Sequence, residues 1–169
     1  MMSRRYVGIA GLLLLPVFLL YGCYSFSGAS ISADMKTCTI LLFQSRAPLA
    51  PPSLSSQLTE ALKQKVVNQT ALGLTNNGGD AIFEGTVTGF TVQPVAMTGG
   101  ETAELTRLNV SISVKYTNTI DPKQSFESSF TRYRDFPAGQ NLQTVQNNLI
   151  EEIMPELVDD IFNRAFVNW

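Results

Sequence analysis

The residue with the most specific chemistry in this chain is Cys23, whose thiol can be alkylated. It stands at the end of a hydrophobic leader, directly after Gly22. The leader carries Arg4 and Arg5 near its start and an apolar run over residues 7–20. A basic segment, a short apolar segment and a small residue before a cut are typical of a secretory signal peptide. The apolar run is shorter than the roughly 20 residues that a membrane-spanning helix needs, so we expect cleavage.

With Leu20 three positions and Gly22 one position before it, Cys23 resembles the lipobox cysteine of bacterial lipoproteins. That resemblance implies a cut between Gly22 and Cys23, a thioether-linked diacylglycerol on the sulfur and a fatty acyl group such as palmitate on the new amino terminus. Two or more chains make a stable anchor, because each buried methylene contributes about 0.8 kcal/mol. The alternatives are an uncleaved amino-terminal anchor helix, or a leader cut elsewhere that leaves Cys23 a plain thiol.

The composition argues against an enzyme. The chain has no histidine, which removes the commonest general base and most zinc sites. Once Cys23 is acylated, Cys38 is the one remaining thiol, and its apolar neighbours predict a buried core residue. We therefore predict no catalytic residue, no metal and no cofactor other than the covalent lipid on Cys23. Removing Arg4 and Arg5 from the 12 basic residues leaves 10 against 14 acidic ones, a net charge of −4, which gives no electrostatic footprint for nucleic acid.

Hydrophobic periodicity predicts four strands and two helices. The third of these strands has the clearest pattern, because its apolar and polar residues alternate, so one face must lie on a core. Its predicted core positions are Leu108, Val110, Ile112, Val114 and Tyr116. The predicted strands cover residues 36–44 (buried on both faces around 40–43), 82–93, 103–118 and 125–136. The predicted helices run from a cap at Ser53 or Ser55 to about residue 68, and over 142–166, where Pro155 should kink or split the helix.

The predicted order is β-α-β-β-β-α. Because each helix and each long strand has one apolar face, the economical fold is an α+β two-layer sandwich with both helices on one face of a four-stranded mixed sheet. The opposite face of the sheet would then show Arg107, Asn109, Lys115 and several serines to solvent or to a partner. We predict a signal peptide over residues 1–22, an acylated terminus and tether over 23–35, and a single domain over 36–169.

Several short stretches resemble the LptE family of outer-membrane lipoproteins, and its Bacteroidota-type branch in particular. They are CYSFSG at 23–28, ASI at 29–31, FEGTV at 83–87 and DDIFN at 159–163. The resemblance covers nearly the whole mature chain, and the predicted element order agrees with the family fold. Tyr24 stands where proteobacterial members have a glycine, and the mature chain is acidic where many of those are more basic.

The resemblance implies a role without catalysis in the transport of lipopolysaccharide to the cell surface. Members of the family lie inside the lumen of the outer-membrane barrel LptD, help to assemble it and plug it. For this chain it implies an LptD-type barrel and lipopolysaccharide as partners, attachment to the outer membrane through the lipid anchor, and a periplasm-facing position. Lipopolysaccharide carries phosphates, so clustered cations are the natural contacts. The candidates are Arg107, Lys115, Arg132 and Arg134.

The sequence is also compatible with three other functions. One is an auxiliary lipoprotein of another envelope lipid-transport system. Another is an envelope hydrolase that uses the paired carboxylates at 151–152 or 159–160, although acids off the apolar stripe of a helix are usually solvated. The third is an exported adhesin or receptor, which the absence of acids over residues 24–33 disfavours.

We expect mass spectrometry of the protein extracted from membranes to show a chain that begins at Cys23 and carries a diacylglycerol and an acyl group. The variant Cys23→Ser should accumulate as the uncut precursor, because the sulfur that accepts the lipid is missing. An unmodified thiol at Cys23 in the processed protein would contradict the lipobox assignment.

Overall fold

The computed structural model describes residues 31–95 and 104–167, which form two layers. The predicted signal peptide, Cys23 and most of the predicted tether lie outside the described residues. The strands are β1 (Thr37–Ile40), β2 (Gln44–Ser45), β3 (Gly73–Leu74), β4 (Ala81–Val95), β5 (Leu105–Asn118) and β6 (Phe126–Pro137). The helices are α1 (Leu54–Gln69) and α2 (Leu142–Phe166), with a 3-10 turn at Pro122–Gln124 between β5 and β6.

The strands form one mixed sheet in the order β3-β1-β4-β5-β6, and β2 pairs with β4 beyond the end of β1. Pairing is parallel among β1, β2, β3 and β4, whereas β4, β5 and β6 form an antiparallel meander. The predicted α+β class is therefore confirmed. The described residues contain six strands rather than four, because β2 and β3 have two residues each and are too short for periodicity to reveal.

The first predicted strand is interrupted, which corrects the expectation for residues 36–44. Leu41 and Leu42 are 38% and 69% exposed, while Phe43 is 2% exposed. Here the chain steps from the sheet toward α1. The amide of Leu41 still donates to the carbonyl of Phe83 in β4, whereas the amide of Phe43 donates to Thr59 Oγ1 in α1 at 2.9 Å. This step places the Phe43 ring between the sheet and α1.

The core lies between the helices and the sheet, and β5 supplies its middle. All five apolar residues predicted from its alternation are buried. In β4 a bulge between Val87 and Gly89 shifts the register, so Val87 and Phe90 both face the helices although they are three residues apart. At the carboxyl end of α2, Phe166 lies 5.8 Å from the Phe83 ring and 5.9 Å from the Tyr116 ring, between ring centres.

Helix α2 runs through Pro155 without a break, so the expected split does not occur. Asn141 caps the helix by accepting a hydrogen bond from the amide of Gln143 at 2.9 Å. Pro155 is exposed, and since proline has no amide hydrogen, the carbonyl of Glu151 loses its helical donor on the solvent side. Within the described residues, neither helix is long and apolar enough to cross a membrane.

The side chain of Asp80, the residue before β4, links the start of β1 to the start of β4 through hydrogen bonds. Its Oδ2 accepts hydrogen bonds from the amides of Lys36 (2.8 Å) and Thr37 (2.9 Å) and from Thr37 Oγ1 (2.9 Å). These hydrogen bonds, the one from the Lys36 amide first, hold the pKa of the Asp80 carboxyl below its ordinary value. The preceding turn needs the left-handed backbone of Gly78, whose φ is 69°.

We expect Gly85→Ala to lower the free energy of unfolding by about 1–3 kcal/mol, because a Cβ there would overlap the buried ring of Phe43. Gly139→Ala is the matched control, since a Cβ at that position meets no atom within 4 Å and should change stability by less than about 0.5 kcal/mol. Urea denaturation followed by circular dichroism measures both. Equal stability of Gly85→Ala and the parent protein would contradict the packing of Phe43 on β4.

Candidate partner-contact surface

The side of the β4–β5–β6 meander that points away from both helices is the candidate functional surface, and we call it the open face. The even-numbered residues of β5 from Leu108 to Tyr116 are buried under the helix layer. The odd-numbered residues of β5 and their register partners therefore lie on the other side. No helix or strand of the described residues packs against that side.

The middle of the open face carries uncharged polar side chains. Ser111 Oγ and Thr131 Oγ1 share a hydrogen bond of 2.8 Å across β5 and β6. Gly89 lies opposite Ser111, where a Cβ would come within 3.2 Å of the serine Cβ, so the strands approach closely there. The other members of this band are Thr86, Thr91, Asn109, Ser113 and Ser129. Because hydroxyl and amide groups both donate and accept, this band can pair with a polar surface of either kind.

One ion pair lies at each of the two ends of the open face. At one end Arg107 binds Asp135 with two hydrogen bonds, Nε to Oδ1 at 2.7 Å and Nη2 to Oδ2 at 2.8 Å. The Arg107 guanidinium carbon also lies 3.7 Å from the ring centre of Tyr133. The hydrogen bond from Arg107 lowers the pKa of Asp135. At the other end, Lys115 Nζ lies 3.0 Å from Glu84 Oε2.

Arg132 and Arg134 lie on the opposite side of β6, against α2. Arg132 donates to both carboxylate oxygens of Asp160, at 2.7 and 2.6 Å. Arg134 donates to Glu152 Oε2 at 3.1 Å and to Glu156 Oε1. The hydrogen bond from Arg134 holds the pKa of Glu156 below its ordinary value. These pairs form a ladder of charges that joins the last strand to the last helix.

The four cations predicted from the sequence are therefore not one cluster. Arg107 and Lys115 belong to the open face, and they lie eight residue steps apart along β5, a distance of about 26 Å. Arg132 and Arg134 pair in register with Val110 and Leu108, two core positions, so they point to the helix side. The sequence indicated this division only indirectly, because Arg132 and Arg134 share the even positions of β6 with Phe126 and Phe130, whereas their carboxylate partners on α2 required the tertiary structure. Their contact with lipopolysaccharide stays a prediction.

Three of the four paired acids of α2, Glu152, Asp159 and Asp160, are ion-pair partners. Asp159 Oδ1 lies 2.8 Å from Lys65 Nζ of α1, and Asp160 and Glu152 bind the ladder arginines. Among residues 31–95 and 104–167, no group of three or more Asp, Glu, Cys or His side chains could hold a metal ion. Thus the structure shows these three carboxylates bound to cations of α1 and β6.

Cys38 is buried as predicted, with no exposed surface. Burial raises the pKa of its thiol to about 12, so the sulfur stays protonated and is a poor nucleophile. Burial also raises the pKa of Tyr116 to about 12. Both groups belong to the core and not to a reactive site.

Sequence reasoning missed most of the open face. The alternation in β5 gave Asn109, Ser111 and Ser113, but the hydroxyls of β4 and β6 join them only through register. The stacking of Tyr133 on Arg107 likewise depends on the pairing of Asn109 with Tyr133. An early sign was available, since the phenylalanines at 126 and 130 put the even positions of β6 on the core side.

The model of the LptE family, described as lipopolysaccharide-assembly, matches residues 35–165. Among solved structures, a hypothetical protein from Chlamydia trachomatis superposes with a TM-score of 0.54 at 11% identity, covering 79% of this chain and 99% of the other. A protein from Xanthomonas campestris gives 0.51 at 10% identity, covering 79% and 83%. A minor lipoprotein from Acinetobacter baumannii gives 0.43 at 14% identity, covering 72% and 89%. No curated protein matches the sequence significantly.

We expect Arg134→Ala to lower the free energy of unfolding at neutral pH by about 1 kcal/mol, because it breaks two ion pairs of the ladder. The pKa of Glu156 is depressed in the folded state, so its contribution is fully present above its ordinary pKa of 4.5 and is lost as the pH falls through the lower pKa of the folded state. The difference between the variant and the parent should therefore shrink below about pH 4.

Arg46→Ala is the control for this measurement, because Arg46 is exposed and makes no ion pair within the described residues. Thermal unfolding midpoints from neutral pH down to about pH 3.5 measure all three proteins. A deficit in Arg134→Ala that stays constant over that range would show that the ion pairs do not act in the folded protein.

Proposed function

We propose, because the chain belongs to the LptE family of lipopolysaccharide-assembly proteins, that it is an outer-membrane lipoprotein that plugs an LptD-type barrel and helps to assemble it. In this role it performs no catalysis and presents a folded surface to its partner. The open face of the sheet is the observation that supports the proposal best.

The chemistry of the open face suits the lumen of a large barrel. Such lumens are lined with polar side chains, and a plug that fills one must satisfy those groups without water. The middle of the open face offers hydroxyl and amide groups over roughly 13 Å of β5, from Asn109 to Ser113, and across three strands. Uncharged groups cost less to desolvate than charged ones, so this band can be buried against a polar wall at small cost.

The proposed anchor limits where the domain can lie. Ile31 packs against the core, and the amide of Met35 donates to the carbonyl of Ser32 at 3.0 Å, so the chain is tied to the domain from that point. Eight residues separate Cys23 from Ile31, and they span at most about 28 Å. A diacylglyceryl group on Cys23 would thus hold the domain beside the bilayer that contains the barrel.

Lipopolysaccharide is the proposed cargo, and the four predicted cations are its proposed contacts. All four already bind carboxylates, so a phosphate would have to share or replace those partners. Arg107 is the best placed, because its bidentate geometry suits phosphate as well as carboxylate and the ring of Tyr133 keeps its guanidinium in position.

We expect the double variant Ser129→Arg/Thr131→Arg to lower the amount of LptD-type barrel that copurifies with the lipoprotein by about tenfold, since two unpaired cations would be buried against the lumen wall. Both residues are exposed on the open face, so the fold should persist. Affinity purification in mild detergent, with quantitative mass spectrometry of the barrel, measures the effect.

Asn147→Arg/Asn148→Arg adds the same charges on the exposed side of α2 and should leave the barrel bound. The proposal fails if no such barrel copurifies with the parent protein, or if an inner-membrane transporter does so in its place. An open-face variant that keeps the barrel as well as the control does would remove the open face from the interface.

A further inference from the structure

A second surface lies on the outer side of the helix layer, where α1 and α2 run beside each other. The two helices leave an open groove of about 760 Å³ between them, which we call the interhelical groove. Its apolar lining comes from Ala61 of α1 and from Met154, Pro155 and Val158 of α2. The groove runs along α1 between residues 57 and 68, about 17 Å, which is the length of three helical turns.

The rim of the interhelical groove is negatively charged. Lys65 of α1 and Asp159 of α2 neutralise each other across it, with 2.8 Å between Nζ and Oδ1. Glu60 and Glu151 are exposed and have no cation within 4 Å among the described residues. Glu60 Oε1 accepts a hydrogen bond from Gln64 Nε2 at 3.1 Å, but within residues 31–95 and 104–167 neither carboxylate has a cationic partner, so both would attract a ligand that carries cations.

Pro155 adds a hydrogen-bond acceptor to the same place. Because Pro155 has no amide hydrogen, the carbonyl of Glu151 cannot make its helical hydrogen bond, and Pro155 itself lines the groove. The side chain of Glu151, which also lines the groove, supplies a carboxylate as a second acceptor. A ligand with donors, such as ammonium or guanidinium groups, would satisfy both.

We propose that the interhelical groove binds a cationic amphipathic segment of a partner polypeptide, with its apolar side on the lining and its basic side chains on Glu60 and Glu151. The unpaired rim acids would repel the phosphates of an anionic lipid. A second copy of this chain is disfavoured as well, because a symmetric contact through the groove would bring together two rims that are both negatively charged. The inference does not depend on the proposed barrel, since the groove and the open face lie on opposite sides of the molecule.

The probe for this inference is a synthetic amphipathic peptide of about 14 residues, with Leu on one helical face and Lys on the other. A matched peptide carries Glu in place of Lys. The acylated full-length lipoprotein in phosphatidylcholine nanodiscs is titrated against each fluorescent peptide, with empty nanodiscs as the blank. We expect the Lys peptide to bind and Glu60→Lys/Glu151→Lys to raise its Kd by at least about tenfold.

Glu104→Lys/Glu127→Lys is the matched control, because it makes the same change of net charge at exposed acids far from the groove. Its Kd should stay within about twofold of the parent value. The milder variant Glu60→Gln/Glu151→Gln should also weaken binding of the Lys peptide. It replaces the charge-reversed variant in the test if charge reversal impairs folding. The inference is overturned if both charge-reversed variants weaken binding equally, if neither does, or if the Glu peptide binds the parent as tightly as the Lys peptide.

Discussion

The alternation of apolar and polar residues in β5 is the constraint on which the rest of the structure depends. Since successive side chains of a strand point to opposite faces, five apolar residues in alternate positions commit one face of the sheet to burial. The helices can only pack on that face, and the polar residues between must lie on the other. Thus one strand in the middle of the meander determines both where the core lies and which surface stays open.

The ion-pair ladder between β6 and α2 has two structural effects. It holds the long helix along the last strand, with Arg132 and Arg134 each bound to carboxylates of α2. It also protects an edge, because β6 pairs with one neighbour only within the described residues. Arg134 Nη1 donates to the carbonyl of Tyr133 at 2.9 Å, and charged side chains on an edge strand oppose pairing with another chain.

The open face and the interhelical groove differ in chemistry and lie on opposite layers. The open face is flat, hydroxyl-rich and almost neutral in its middle, so it suits burial against a polar wall. The interhelical groove is apolar at its base and acidic at its rim, so it suits a basic amphipathic segment. A plug seated through its sheet would still present its helices, and the domain could then contact two partners without competition between them.

The sequence alone determined the class of the fold, the order of its long elements, the apolar face of β5 and the burial of Cys38. These follow from short-range patterns, because periodicity, turn residues and composition act over a few neighbours. The tertiary structure decided what depends on register and on contacts between distant segments. It interrupted the first strand so that Phe43 could pack under α1, added β2 and β3, and kept α2 continuous through Pro155 because the freed carbonyl faces solvent. It also gave each of the four cations its carboxylate partner, since those contacts join residues that are far apart in the sequence.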